Sequence, residues 1–230
     1  MSDPAPNPEL MRSLGRLVRG LSALFWGLPT ALLACVYTLK GDPLLSFWGL
    51  PAVVFTGLEV FGLWQLGSFQ KQERVWRNAL DRALVLALIN FGLSPFLYWS
   101  TRMPNRFFES MLLIMAGTGL LYLAALNIVV RRLGAMLPDE ALRVETRQFT
   151  ALNLNLLSIT VAVALLYVVL SRLPEGSLRV QVILRVLGDR PEFWLLLLLV
   201  PLLLLPLAMT LALLWKTKEV ILDNVFNKTP

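Results

Sequence analysis

Glu59 is the residue whose placement calls first for chemistry. It lies in Phe55-Thr56-Gly57-Leu58-Glu59-Val60-Phe61, near the middle of a long apolar stretch. An ionised acid at mid-membrane costs a few kcal/mol even on lenient insertion scales. Two uses fit such a group. One is proton or cation binding along a transport path. The other, ranked first from sequence, is a protonated carboxyl hydrogen-bonded to a neighbouring helix as a packing device. No basic residue lies deep in any apolar block, so an ion-pair partner is not evident.

Neutral partners are available. Asn90 is expected at similar depth, Gln65 two turns nearer one membrane surface, and Thr118 and Thr210 in later blocks. A fifth block carries Thr150, Asn153, Asn155, Ser158 and Thr160 in one half. At 100° per residue, Thr146, Thr150, Asn153 and Thr160 fall broadly on one face, and Asn155 and Ser158 fall off it. Such a half-helix must be enclosed by protein or border a wet cavity. The candidate intramembrane polar site is therefore Glu59, Gln65, Asn90, Thr118, Asn153 and Asn155.

Other chemistry is missing. The chain has no histidine and one cysteine, Cys35. The commonest metal ligand and the usual general base are thus absent. No nucleophile elbow, Walker loop, Cys-x-x-Cys or His-Glu-x-x-His occurs. No catalytic residue, metal site or cofactor is assigned, and a membrane enzyme is the third-ranked reading. Asp139, Glu140 and Glu145 alternate with Arg143 and Arg147, which reads as a solvated, charge-laced helix. The formal charge of +6 comes without a basic run of five or more, so nucleic acid is not expected as a partner.

The elements that must position these groups are transmembrane helices. Of 230 residues, 57% are apolar and 16% charged, with a mean hydropathy of +0.66. The apolar residues fall in blocks near the 20 or so needed to cross a bilayer. No alternating ten-residue pattern of a membrane barrel occurs. The predicted fold is all-α, a polytopic bundle of six spans. They run about Leu17–Leu39, Leu44–Phe69, Ala83–Ser100, Phe108–Val130, Phe149–Leu170 and Glu192–Trp215. Residues 1–16 read as a loose N-terminus, 17–226 as one transmembrane domain, and 227–230 as a tail. The N-terminus, the second and fourth loops and the C-terminus carry fourteen Lys and Arg; the opposite side carries seven. The positive-inside rule then puts both ends in the cytoplasm, with a bacterial cytoplasmic membrane as the expected location. Tyr98, Trp99, Trp194 and Trp215 fit an interfacial belt, whereas Trp64 falls inside the second predicted span.

Three helices are expected to run past the membrane. Pro138 to Ser171 would measure roughly 50 Å, beyond a core of about 30 Å. Proline at its first position and acids in its first turn mark its start. The third and sixth spans extend through Gln72–Leu80 and Lys216–Phe226. Val75, Trp76 and Leu80 are expected on one face, and Val220, Ile221, Val225 and Phe226 supply the other candidate interaction surface. Packing within the protein or its own oligomer ranks first for these faces, then the membrane surface, then a foreign partner. Ser177–Leu187 reads as a short interfacial helix or a strand. Pro29, Pro95, Pro201 and Pro206 are expected to kink their helices. Arg12, Arg16 and Arg19 before a run ending at Cys35 resemble a lipoprotein signal, yet the run continues through Leu39 as a span should.

Two functions follow. The first is a non-catalytic subunit or scaffold of a membrane assembly, held through the helix extensions. The alternative is a small transporter or channel component that uses Glu59 for a proton or cation; substrate identity is not readable. The bilayer is the one partner implied throughout.

Overall fold

A computed structural model describes residues 8–41, 49–70, 72–103, 105–137, 139–172 and 191–226. Among these, six α-helices account for the secondary structure: α1 Pro8–Lys40, α2 Leu50–Leu66, α3 Arg74–Arg102, α4 Arg106–Met136, α5 Glu140–Arg172 and α6 Pro191–Phe226. Five of them are long and apolar enough to cross a membrane; α2 is a shorter apolar helix of 17 residues. At 1.5 Å per residue α2 is about 26 Å long. The described residues form the helical bundle of a membrane protein. Its surface agrees, because Leu33, Val54, Phe61, Val85, Leu121, Leu165 and Leu204 are all exposed. A soluble fold would not leave so much aliphatic surface uncovered.

Each helix packs on the next in sequence, and α6 returns to α1, closing a ring. Neighbours run antiparallel. Gly20 faces Gly62 and Leu66 while Gly27 faces Glu59, so α1 and α2 run in opposite directions. Phe25 of α1 meets Trp215 of α6 with ring centroids 5.4 Å apart, where the ring closes. Lys218 sits 5.3 Å over the same indole.

Local chemistry fixes the helix ends. Asn105 caps α4 by accepting from the Phe107 N–H at 3.2 Å. Asp139 caps α5, accepting from Ala141 and Leu142 N–H at 2.9 and 3.2 Å. This corrects the expected start at Pro138: the side-chain cap follows the proline, and helix begins at Glu140. Gly49 precedes α2 with φ +75°, a conformation glycine adopts without strain. The α1 helix already starts at Pro8, so residues 8–16 are helical, against the loose N-terminus expected. Leu14 and Leu17 give this first stretch a buried face. The α2 helix stops at Leu66, three residues before the predicted end. Trp64, exposed and two residues from that stop, thereby joins the end-of-helix aromatics it seemed to contradict. Ser177–Leu187 and Trp194 fall outside the residues described in full.

The core occupies the half of the bundle nearer the basic loops. Leu17, Leu21, Leu24 and Leu28 recur every three or four residues along α1, one buried stripe of a helix. They pack with Leu63 and Leu66, Ala83 and Ala87, Leu126, Val129 and Leu133, and Leu214 and Ile221.

Trp76, 1% exposed, and Leu80, 5%, belong to this core, and Val75 points away at 49%. The face expected to hold all three therefore splits. Trp76 and Leu80 are 40° apart around the helix, whereas Val75 lies 100° from Trp76. Ile221 is likewise internal and Val220 half-buried. Val225 and Phe226 lie outside the residues whose side chains are described. Glu145 and Lys216 form an ion pair that joins α5 to α6.

Candidate functional site

Where the core ends, a cavity begins. It has a volume of about 400 Å³ and is walled by all six helices, almost wholly by aliphatic carbon. Leu28, Cys35, Leu97, Leu123 and Leu203 are among its apolar lining. Few polar side chains reach it: Glu59 and Thr56 from α2, Asn90 from α3, Tyr122 from α4 and Thr160 from α5.

Glu59 is 5% exposed and has no hydrogen-bond or ion-pair partner among the described residues. Gly27 on α1 makes its place possible, because a methyl there would lie 3.3 Å from Glu59 Cγ. Across the cavity wall the Tyr122 hydroxyl is buried and also lacks a partner among the described residues. Thr118 donates to Asn90 Oδ1 at 2.6 Å, tying α4 to α3. A carboxyl and a phenol left open beside a nearly apolar cavity are an uncompensated cost in the empty protein. A guest with a matching polar group would remove it.

A second polar cluster lies apart from Glu59 and bonds mainly within itself, with Asn153 Oδ1 left as a buried acceptor without a partner among the described residues. Asn153 Nδ2 donates to Asn127 Oδ1 at 2.9 Å, to the Pro206 carbonyl at 3.0 Å and to Thr210 Oγ1 at 3.0 Å. Asn127 Nδ2 donates to Thr210 Oγ1 at 2.9 Å and to the Leu123 carbonyl at 2.8 Å. These bonds join α4, α5 and α6 where Pro206 interrupts α6. Pro206 has no N–H, so the Leu202 carbonyl loses its donor four residues on. Thr160 of α5 donates to that carbonyl at 3.1 Å. In α3, Ser94 donates to the Phe91 carbonyl at 2.8 Å, the acceptor that Pro95 leaves open. Both repairs follow the requirement that backbone polar groups in lipid be satisfied inside the protein.

The predicted set therefore divides. Glu59 and Asn90 meet at the cavity, Thr118 joins them through Asn90, and Asn153 belongs to the separate cluster. Asn155 is exposed, and its carbonyl accepts from Ser158, so it is removed from the set. Its 200° offset from Asn153 turns it to the outer surface. Gln65 is half-buried and lines a different cleft at the basic end, also outside the site. Sequence reasoning missed Tyr122, Asn127, Ser94 and Gly27. Tyr122 and Asn127 carried a readable signal, each a polar group inside an apolar run; Gly27 carried none. Cys35 is a free thiol on the cavity wall within unbroken α1 helix.

Among the described residues no group of three or more metal-ligating side chains could hold an ion. Comparison with protein-family models, curated proteins and solved structures finds no match to this chain, so its function is read from these side chains alone.

Proposed function

We propose that this protein is a small transport component that binds a lipophilic cation, with the Glu59 carboxylate as counter-ion and the proton as competitor. The observation that carries the proposal is the carboxyl, without a partner among the described residues, on the wall of the 400 Å³ aliphatic cavity. Apolar walls suit an organic body, and a single carboxylate in low dielectric suits one positive charge. A hydrated metal ion would find too few oxygens there to replace its water. The proposal includes six spans, both ends in the cytoplasm, and a cytoplasmic-membrane location. The two-to-one bias of Lys and Arg supports the orientation.

The subunit-or-scaffold reading drew on the helix extensions. Of the side chains it named, Trp76, Leu80 and Ile221 are covered within this chain, and Val75 is exposed. That leaves the cavity as the better-supported site.

Tetraphenylphosphonium binding to the full chain in nanodiscs tests the idea. Saturable binding should weaken as pH falls, because proton and cation compete for one carboxylate. Glu59→Gln keeps the shape and loses the charge, and should weaken binding by tenfold or more, about 1.4 kcal/mol. Equal binding by Glu59→Gln, with melting unchanged, would remove Glu59 and the transport reading with it.

A further inference from the structure

At the basic end of the bundle a second cleft, of about 590 Å³, opens between α1, the end of α2 and the start of α3. Its polar lining holds the donors Arg16, Arg77 and the indole of Trp76, the amide of Gln65, and Ser68, whose hydroxyl already donates to the Gln65 carbonyl at 2.8 Å. Among its described lining residues Asp81 is the one acid and Arg16 and Arg77 are the two cations. Trp76 distinguishes the cleft from an ordinary aromatic belt. A belt tryptophan keeps its N–H in the wet headgroup layer. Trp76 is 1% exposed, and Nε1 has no hydrogen-bond partner among the described residues. A buried donor in that state costs free energy that an acceptor entering the cleft would recover.

The charges specify the acceptor. Two guanidiniums and one carboxylate leave one net positive charge, which matches a monoanion better than a dianion. Arginine forks suit phosphate oxygens, and the end of a transmembrane bundle is where lipid phosphates lie. We infer that this cleft binds a phosphate diester, with Arg16 and Arg77 on its anionic oxygens and Trp76 Nε1 donating to the same group. A phospholipid headgroup and a soluble phosphodiester share that chemistry. The site is separate from the Glu59 cavity and does not depend on its function.

The test uses the full chain in an uncharged maltoside micelle, labelled with nitrogen-15 in its indoles. The Trp76 resonance is assigned by its loss in Trp76→Phe. Dihexanoyl phosphatidylglycerol and its deacylated headgroup, glycerophosphoglycerol, are titrated separately. A saturable downfield shift of Trp76, with exposed Trp26 unmoved, is expected. A shift with both probes assigns a site for the diester itself; a shift with the lipid alone assigns a lipid site. Arg16→Gln and Arg77→Gln should each weaken the interaction about tenfold, with melting unchanged, because both side chains are exposed. No shift with either probe overturns the inference. So does an equal shift with uncharged dihexanoylglycerol, or an unchanged affinity in both arginine variants.

Discussion

A proline in a membrane helix leaves a carbonyl that water cannot reach, so a side chain must reach it instead. Thr160 does this for Leu202 from a neighbouring helix, and Ser94 does it for Phe91 within its own. Thr160→Val keeps the shape and removes the donor. It should cost about 1 kcal/mol, the scale of one intramembrane hydrogen bond. Asn153→Ala removes three interactions and leaves Asn127 Oδ1 without its donor, so it should cost about 2 kcal/mol or more. Asn155→Ala, on the exposed face, should change nothing measurable. Unfolding of the three variants in mixed detergent checks the order. An Asn155 effect equal to that of Asn153 would contradict the separation of the two. At Glu59 the same logic runs the other way: no neighbour among the described residues satisfies the carboxyl.

Between α1 and α2, glycine permits a close approach. A methyl on Gly20 would lie 2.5 Å from Leu66 Cδ1 and 2.7 Å from the Gly62 carbonyl. One on Gly62 would lie 2.8 Å from Leu24 Cγ. Backbone cannot yield as a side-chain tip can, so Gly20→Ala should destabilise by about 1–3 kcal/mol through overpacking. Gly92, in α3, has nothing within 4 Å. Gly92→Ala should be neutral or stabilise by up to about 1 kcal/mol through helix propensity. Thermal unfolding in detergent should separate the two variants by sign. The ion pair between Glu145 and Lys216 is partly exposed, and Glu145→Gln should cost less than about 1 kcal/mol.

On the scale of the whole molecule, the bundle has a half filled by the core, with the 590 Å³ cleft opening at its basic end, and a hollow half. The filled half lies toward the basic loops and holds Trp76 and Ile221. The hollow half holds the cavity and Glu59. Enlarging side chains in the hollow half should fill the cavity without disturbing the core. Ala116→Leu, on the cavity wall, should lower tetraphenylphosphonium binding at least fivefold while leaving melting within about 1 kcal/mol of the parent. A reporter joined to each chain end should be found on one side of the membrane, as an even number of crossings requires. Reporters on opposite sides would show that α2 does not cross.

Hydropathy along the chain was enough to determine a helical membrane protein, the approximate helix limits and the burial of a carboxyl near the middle of α2. Those properties sum over some twenty consecutive residues and need no neighbour. Capping at Asn105 and Asp139 is equally local, although the sequence pattern starts α5 at Pro138 and does not assign the Asn105 cap. What only the tertiary structure decided is which way each side chain turns and what it meets. Val75 and Trp76 are adjacent in sequence, yet one faces outward and the other enters the core. Asn153 and Asn155 part in the same way. Glu59 faces a cavity because six helices leave space there and Gly27 lets α1 draw close. Such placement depends on the rotation of each helix against its partners, which is set by packing between segments far apart in sequence.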